Sequence, residues 1–367
     1  MWKGKLLNQF LSTQQQGYES VESVPCPDGV ESIDCALGTN PLGMPRSLHP
    51  VLKELGDLAL DAYPEPESDS LKKDIVSHHP LWRLETGNIL LSCGSMGVLT
   101  VLARLTTGPG DRFLGCSPQF TDGALQFVFN GAEYIRLPLT PPRYTISVET
   151  ILSELERSHP SLLYLDRPNN PTGQVLPLEG MRFIAERAME LGSWVISDEA
   201  YGDFIPDEES AACLDLPNLV TCRSFSKGLG LAGLRVGFAI ARDAELINSF
   251  CKIQPAFVVP TLGALLAREG LSDTAFIEES RRYVREAKER VLQAVEKKRG
   301  WTLAETDNRV PIMLLSLEEG DLFRILGEAG IACEPGVGFF DLDRRAVRLR
   351  VPAPSQLEEF LRRIAAL

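Results

Sequence analysis

The fold of this chain is decided by Ser224-Phe225-Ser226-Lys227-Gly228-Leu229-Gly230-Leu231-Ala232-Gly233-Leu234-Arg235. Apolar runs at residues 219–222 and 234–240 flank Lys227 and predict buried strands. A lysine that follows a buried strand, among hydroxyl groups and glycines, is poorly placed as a solvated ammonium and well placed as a nucleophilic amine. Such an amine can form a Schiff base, and Arg235 can pair with a phosphate. A loop lysine and a structural arginine would explain the same residues, so this stretch alone leaves both interpretations open.

Two other motifs overlap the same residues. Ser224 and Lys227 form the Ser-x-x-Lys pattern of penicillin-recognising serine enzymes, but no Ser-Asp-Asn or Lys-Thr-Gly follows. The glycines at 228, 230 and 233 spell Gly-x-Gly-x-x-Gly, which in nicotinamide enzymes opens a helix that binds a pyrophosphate. Here the next residues predict a strand instead of a helix. Both motifs are therefore weak evidence.

Composition excludes several classes of partner. The 367 residues carry a net charge of −13 without a basic cluster, so we expect no nucleic acid or anionic membrane as a partner. The first residues lack the apolar segment of a signal peptide, and no apolar run is long enough to span a bilayer, so we expect a cytoplasmic protein. Eight cysteines without a Cys-x-x-Cys pair and four histidines without ligand spacing predict reduced thiols and no metal site.

Short apolar strands alternate with helices along the chain, which is typical of an α/β fold whose site lies at the carboxyl ends of the strands. The strand at 89–93 leads into Gly94-Ser95-Met96 at a helix start, where free N–H groups can bind an anion. Further strands are predicted at 111–116, 133–137, 162–165, 194–197, 310–317 and 346–351, and helices at about 50–60, 98–105, 178–191, 273–298, 321–329 and 355–366.

Three segments resemble a known family in their order and spacing. They are Asn-Asn-Pro-Thr-Gly at 169–173, Asp-Glu-Ala-Tyr-x-x-Phe at 198–204, and Ser-x-Ser-Lys with an arginine eight residues later at 224–235. Together they resemble the pyridoxal-phosphate enzymes of fold type I, specifically the class I/II aminotransferases, and most closely the histidinol-phosphate aminotransferase branch. With the segments between them, the resemblance covers nearly the whole chain.

The resemblance implies an α/β fold with a mostly parallel seven-stranded sheet between helices and a small α/β domain. We expect an N-terminal arm at 1–40, a large cofactor-binding domain at 41–272, and a small domain with its connecting helix at 273–367. It also implies a homodimer that transfers an amino group between an amino acid and a 2-oxo acid. The same cofactor and fold also serve decarboxylases of the threonine-phosphate type and β-lyases, which are the alternatives.

Site residues carry over from the family by position. Lys227 would hold pyridoxal 5'-phosphate and move the substrate proton, Asp198 would pair with the ring nitrogen, and Asn170 and Tyr201 would bond the ring hydroxyl. A capping role is the plainer interpretation of Asp198. The cofactor phosphate would lie against the residues that form its expected shell: Gly94, Ser95, Met96, Ser224, Ser226 and Arg235.

Two aromatic residues complete the expected cofactor contacts. Phe120 stands where the family usually stacks a tyrosine on the ring, so the hydroxyl is absent here; an ordinary core aromatic is the alternative. Tyr63 resembles the tyrosine that reaches toward the cofactor phosphate of the partner subunit.

On the substrate side, Arg350 matches the arginine that binds the α-carboxylate, since a guanidinium forms two parallel hydrogen bonds with a carboxylate. Arg348 alternates to the opposite face of the strand, where we expect solvent. The backbone at Gly38 and the side chain of Asn40 match a segment that closes over the substrate. Glu334 stands where phosphate-binding relatives have an arginine, which predicts a donor without a phosphate and with a neutral or cationic side chain. A one-residue shift would bring Arg344 or Arg345 to that position.

Overall fold

The computed structural model describes residue 26 and residues 29–58 and 60–367. Most of the predicted N-terminal arm therefore lies outside the described residues. The strands are β1 (Ile33–Asp34), β2 (Ile89–Cys93), β3 (Arg112–Ser117), β4 (Glu133–Pro138), β5 (Leu162–Asp166), β6 (Trp194–Asp198), β7 (Leu219–Ser224), β8 (Val236–Ile240), β9 (Trp301–Leu303), β10 (Ile312–Leu317), β11 (Ile331–Ala332), β12 (Glu334–Pro335) and β13 (Ala346–Arg350).

The helices are α1 (Leu48–Lys53), α2 (Asp69–His78), α3 (Gly94–Thr106), α4 (Thr121–Phe129), α5 (Val148–Ser158), α6 (Leu178–Glu190), α7 (Ala244–Ile253), α8 (Thr261–Ser272), α9 (Thr274–Glu296), α10 (Leu322–Glu328) and α11 (Leu357–Ala366). In the described part of the chain, no helix is long and apolar enough to cross a membrane.

Seven strands form the central sheet in the order β2-β8-β7-β6-β5-β3-β4. β8 runs antiparallel to both of its neighbours, and the other pairs are parallel. The expected α/β fold with a mostly parallel seven-stranded sheet is therefore confirmed. Because β7 and β8 are antiparallel neighbours, the three glycines between them belong to a connection between strands and do not open a dinucleotide-binding helix.

Helices cover both faces of this sheet, so its strands are apolar on both sides. Leu162 and Tyr164 of β5 pack in a cluster with α3 and α4. Leu163 and Leu165 alternate to the opposite face and pack with α5 and α6. This double burial explains why the strands appear in the sequence as continuous apolar runs, and it leaves their carboxyl ends as the place for polar residues.

A second sheet has the strand order β12-β13-β10-β9 and is antiparallel throughout. Apolar residues of α9, α10 and α11 pack on it. The short β1 pairs with β11 in parallel and brings residues 33–34 to this part of the molecule. The predicted domain boundary at 272 and 273 coincides with the junction of α8 and α9, and the division into domains stays a prediction.

The long helix α9 begins as the sequence predicts, because the Asp273 carboxylate accepts a hydrogen bond of 3.0 Å from the backbone N–H of Phe276. Lys288 of this helix is fully buried. Its Nζ donates to four oxygens of residues 306–312, at 2.6 Å to Thr306 and 2.8 Å to the carbonyls of Asp307, Val310 and Ile312. The lysine thus fastens α9 to the loop that precedes β10.

Two predicted helices have different bounds. The helix expected at 50–60 is the short α1, which ends at Lys53 and is followed by a 3-10 turn at Leu55–Asp57. Gly56 lies in this turn and favours an early end to the helix. The helix expected at 98–105 begins four residues earlier at Gly94, directly after β2.

Candidate active site

A cavity of about 440 Å³ lies at the carboxyl edge of the central sheet. This is the edge at which the sequence predicts a site, since parallel strands expose their loops there. The lining consists of Leu37, Gly38, Thr39, Ser95, Met96, Phe120, Asp122, Asp166, Pro168, Asn170, Asp198, Ala200, Tyr201, Ser224, Ser226, Lys227, Ala232 and Arg235.

Lys227 and Tyr201 both line this cavity and lie close to each other. The Nζ of Lys227 lies 5.7 Å from the centroid of the Tyr201 ring. A Cβ added to Gly38 would come within 1.8 Å of the Tyr201 hydroxyl and 3.5 Å of the Lys227 Nζ. A side chain at position 38 would therefore displace the Tyr201 hydroxyl, whereas it would only touch the Lys227 amine, so glycine at this position lets the chain pass close to the tyrosine.

Asp198 ends β6 and is 2 % exposed. Its carboxylate accepts a hydrogen bond of 2.8 Å from the Tyr164 hydroxyl and one of 3.2 Å from the backbone N–H of Ala200. Burial raises the pKa of Asp198 to about 6, and the bond from Tyr164 opposes that rise. A cation placed opposite this carboxylate would restore its negative charge, so Asp198 is suited to pair with a protonated ring nitrogen.

Asp166 is a second buried carboxylate that the sequence reasoning missed. It ends β5, and its Cα pairs with that of Asp198 across the two parallel strands. Its Oδ2 accepts the backbone N–H groups of Phe120 at 2.9 Å and Asn170 at 2.7 Å, and its Oδ1 accepts the side-chain amide of Asn169 at 2.9 Å. Burial raises the pKa of Asp166 to about 7. A signal was available, since an aspartate that ends an apolar parallel strand lies at the site edge of the sheet.

The expected anion site is built at the start of α3. Gly94 begins this helix with φ +71°, and a Cβ there would lie 2.7 Å from Nη2 of Arg235. The same guanidinium contacts the Ser226 hydroxyl at 3.5 Å. A guanidinium above the free N–H groups of a helix start provides the charge and donors that a phosphate requires. Ser95, Met96 and Ser224 line the cavity nearby, whereas Gly94 itself is not part of the lining.

Arg348 corrects one expectation. The sequence predicts that this side chain meets solvent, but it is fully buried. Its Nη1 donates to Oδ1 of Asn170 at 3.1 Å, and its Nη2 donates to the carbonyl of Ala36. β13 lies between β12 and β10, and all five of its residues are buried, so neither face of the strand points to solvent. The alternation of residues along the strand therefore could not reveal that Arg348 and Arg350 are both buried.

Arg350 is also buried, and neither it nor Arg348 is part of the cavity lining. Its guanidinium donates to the backbone carbonyls of Val351 and Asp34 and lies 3.3 Å from the Asp34 carboxylate. Asn40 is likewise outside the lining. Its amide donates to the Gly228 carbonyl at 2.6 Å and to the Ser280 hydroxyl at 2.9 Å, so it fastens residues 38–42 to the loop after Lys227.

The two predicted aromatic contacts have different surroundings. Phe120 lines the cavity and precedes α4. Tyr63 is 83 % exposed and stacks on Phe257, with 4.7 Å between ring centroids. Within the described residues, therefore, Tyr63 is not part of the cavity of its own chain.

Three residues were candidates for facing the side chain of the substrate, namely Glu334, Arg344 and Arg345, and they differ in burial. Glu334 is the cross-strand partner of Arg348, and its carboxylate lies 3.9 Å from that guanidinium. Glu334 is 7 % exposed. Arg344 and Arg345 are exposed, and Arg345 pairs with Asp343 at 2.7 Å. None of Glu334, Arg344 and Arg345 lines the cavity, but Glu334 is connected to the lining residue Asn170 through Arg348.

Comparison with known proteins settles the family. The model of the family described as "Aminotransferase class I and II" matches residues 44–364. The chain belongs to the class I and II aminotransferases. A histidinol-phosphate aminotransferase 2 of Cupriavidus pinatubonensis is 30% identical over 276 residues, which cover 74% of this chain and 73% of that protein.

Two solved structures illustrate the shared fold of this aminotransferase. Histidinol-phosphate aminotransferase from Sinorhizobium meliloti, in complex with pyridoxal-5'-phosphate, has a TM-score of 0.78 and 22% identity, and the match covers 92% of this chain and 89% of that one. L-threonine-O-3-phosphate decarboxylase from Porphyromonas gingivalis has a TM-score of 0.76 and 19% identity, and the match covers 90% of this chain and 100% of that one. Both structures share the fold of this chain. The relative from Cupriavidus pinatubonensis supports the histidinol-phosphate aminotransferase branch expected from the motifs.

The cofactor of this aminotransferase is pyridoxal 5'-phosphate, and the residues present fit it. Among the described residues, the buried Tyr201 hydroxyl has no hydrogen-bond partner, so it is available to a bound molecule. Burial raises the pKa of Tyr201, so this hydroxyl is protonated and can donate. Lys227 would supply the amine, Asp198 the carboxylate, and Arg235 with the start of α3 the anion site.

Pyridoxal phosphate supplies a carbonyl for covalent attachment and a ring that withdraws electrons from the Cα of an amino acid. The chain supplies the remaining functions. The Nζ of Lys227, which lines the cavity, would take and return a proton there, and the buried carboxylate of Asp198 would stabilise a positive charge on a bound ring. Asn170 is held by Asp166 and Arg348, so its amide is fixed before any ligand binds.

Proposed function

We propose that this aminotransferase moves the amino group of a donor without a phosphate to a 2-oxo acid. Lys227, Asp198 and Tyr201 act in catalysis. The cofactor contacts are the predicted set at Gly94, Ser95, Met96, Phe120, Asn170, Ser224, Ser226 and Arg235. The observation that carries the choice of donor is the Glu334 carboxylate, buried 3.9 Å from Arg348.

Arg348 is the candidate for binding the α-carboxylate, in place of Arg350. Its hydrogen bond to Asn170 puts the guanidinium beside a residue that lines the cavity. Arg350 is engaged with Asp34 and the backbone, so a substrate would have to displace those partners. The backbone at Gly38 stays the proposed substrate contact of its segment, and Asn40 supports that segment.

Glu334 disfavours a phosphorylated donor for an electrostatic reason. A phosphate dianion next to this carboxylate is repelled, and a charge-assisted contact worth roughly 1.5–3 kcal/mol is missing. The relatives named histidinol-phosphate aminotransferase share the fold and cofactor, but a substrate with a second anionic group fits this position poorly. A neutral or cationic side chain fits it better.

A half-reaction screen tests the donor. The purified protein with its cofactor is offered free amino acids, histidinol phosphate and O-phosphothreonine, and conversion of the cofactor to its amine form is recorded. We expect the best unphosphorylated donor to exceed histidinol phosphate at least about tenfold in kcat/KM. A preference for either phosphate ester would refute the proposal, and release of CO2 or ammonia would reassign the reaction.

A matched pair of variants sharpens the screen. Glu334→Gln removes the charge at constant shape and should increase use of histidinol phosphate relative to the best free donor. Glu328→Gln, an exposed carboxylate of α10, is the control and should leave the ratio unchanged. Equal ratios in both variants would show that Glu334 does not select against phosphate.

We also propose a cytoplasmic homodimer in which Tyr63 completes the partner's site, since this ring is 83 % exposed. A mixture of Lys227→Ala and Tyr63→Ala chains tests this arrangement. A mixed dimer contains one site with both native residues, so mixing should restore activity that exceeds the sum of the two variants. Strictly additive activity, or an active monomer in sedimentation, would contradict it.

A further inference from the structure

Asp166 has no role in the chemistry described so far, although it lines the cavity. It stands beside Asp198 at the ends of two neighbouring parallel strands, and the two residues are 7 % and 2 % exposed. Two carboxylates buried side by side repel each other, so this arrangement is costly for the fold unless both are held by donors. Both carboxylates are held here, and the three donors to Asp166 show which groups it positions.

The hydrogen bonds of Asp166 connect two loops that reach the cavity. One oxygen accepts the backbone N–H of Phe120, in the loop after β3, at 2.9 Å. The same oxygen accepts the backbone N–H of Asn170, in the loop after β5, at 2.7 Å. The other oxygen holds the side chain of Asn169 at 2.9 Å. One buried atom thus sets the distance between Phe120 and Asn170.

These two residues face the cavity from different loops. Phe120 is the candidate for stacking on the ring, and Asn170 is the candidate for bonding the ring oxygen. Asn170 is also fixed from the other side by Arg348, at 3.1 Å. A shift of either loop would change how a bound ring is oriented, and small errors in orientation have large effects on rate.

We propose that Asp166 is a positioning residue for pyridoxal phosphate, which it orients through Phe120 and Asn170. It acts through these two residues and forms no bond with the substrate. The inference rests on cofactor binding and does not depend on the identity of the donor. It gives a function to the contact between the loops after β3 and β5, which none of the sequence motifs predicts.

The test compares Asp166→Ala, Asp166→Asn and a control, Asp243→Asn. Asp243 caps α7, accepting the backbone N–H of Leu246 at 2.7 Å, and lies outside the cavity lining. The control makes the same isosteric change to a carboxylate that holds a backbone N–H. The readouts are the cofactor dissociation constant, the circular dichroism of the bound cofactor in its visible band, and the melting temperature.

For Asp166→Ala we expect at least about a tenfold rise in the cofactor dissociation constant and a loss of about half of the visible dichroism. Asp166→Asn keeps one oxygen for the two backbone N–H groups but loses the bond from Asn169. Its dichroism should therefore lie between those of wild type and Asp166→Ala. Asp243→Asn should match wild type in both cofactor readouts, even if it melts at a lower temperature.

The inference is overturned if the Asp166 variants fold and match wild type in both cofactor readouts. If Asp166→Ala does not fold, Asp166→Asn decides alone, and wild-type dichroism in that variant overturns the inference. A wild-type protein that binds no pyridoxal phosphate would instead refute the cofactor assignment, so the two failures are distinguishable.

Discussion

The cofactor side of the cavity and its substrate side are held in place by different kinds of contact. On the cofactor side, Asp198, Asp166 and Asn170 are fixed by short hydrogen bonds between neighbouring strands and loops of the central sheet. On the substrate side, Arg348 comes from the antiparallel sheet and contacts the central one through Asn170. The position of Arg348 on the substrate side therefore depends on how the two sheets pack together. The positions of the residues on the cofactor side depend on the central sheet alone.

This difference suggests a division of labour. The groups that we propose to bind the ring are already held by hydrogen bonds, which lowers the cost of ordering them during the reaction. The arginine that we assign to the substrate carboxylate lies where two parts of the molecule join, so a substrate bound there would connect them. Variants on the two sides should consequently fail in different ways.

The largest effect is expected on the cofactor side. Lys227→Ala should reduce turnover at least about 10⁴-fold, because no other group replaces both its nucleophilic and its proton-transfer function. Borohydride treatment of the native protein should attach the cofactor to Lys227, as read by peptide mapping. Lys252→Ala, on the exposed end of α7, is the control and should keep full turnover. A label on any other lysine would remove Lys227 from the centre of the site.

The next effect tests the substrate side. Arg348→Lys should lower kcat/KM for the donor about 100-fold, since a single ammonium cannot reproduce two parallel hydrogen bonds. Arg350→Lys should change it by no more than about threefold, because its guanidinium holds Asp34 and the backbone. Steady-state kinetics with melting curves for both variants provide the measurement. The reverse pattern would restore Arg350 as the carboxylate-binding residue.

The smallest effect concerns the stability of the folded protein, which depends on the buried carboxylates of the cofactor side. Burial raises the pKa of Asp198 to about 6 and that of Asp166 to about 7, from an ordinary value of 3.8. The folded, cofactor-free protein thus binds these protons more tightly than the unfolded chain. The stability they contribute is present below about pH 4 and is lost as the pH rises through about 7.

Denaturation of the cofactor-free wild type and of Asp166→Asn at pH 5 and pH 8 isolates this contribution. The free energy of unfolding of wild type, relative to that of the variant, should fall by about 1–2 kcal/mol between the two pH values. Carboxylates distant from Asp166 titrate alike in both proteins and cancel in the difference, whereas the repulsion between Asp166 and Asp198 is part of the measured effect. A difference that does not change with pH would mean that Asp166 is ionised in both the folded and the unfolded protein.

The sequence predicted residues of the cofactor side better than those of the substrate side. Asp198, Tyr201 and Lys227 follow apolar strands within local motifs, and each lies at the cavity where the motifs place it. The contact between Arg348 and Asn170 joins residues 178 positions apart. Arg348 points into the molecule because β13 is covered on both faces. The alternation of residues within one strand does not reveal this. The roles of all these residues stay predictions until the variants are measured.

Secondary structure shows a related limit. β2 has the predicted bounds at 89–93, and α9 lies within the predicted 273–298, because a buried apolar run and a helical period with a capping aspartate are strong local signals. The helix expected at 50–60 ends early, because the apolar residues of 48–60 are interrupted by Gly56. Asp166 was missed for a different reason, since its hydrogen-bond partners belong to loops on two strands.

The ammonium of Lys288 has a consequence for motion within the molecule. It holds the carbonyl of Asp307, whose own N–H donates to the Gly173 carbonyl at 3.1 Å. Gly173, at φ +79°, closes the loop that carries Asn170, and a Cβ there would lie 2.4 Å from the Ile312 carbonyl. In a deuterium-exchange experiment, the amide protons of α9, residue 307 and residue 173 should therefore exchange together as one cooperative unit. Local opening of α9 would thereby release the loop after β5, which carries Asn170.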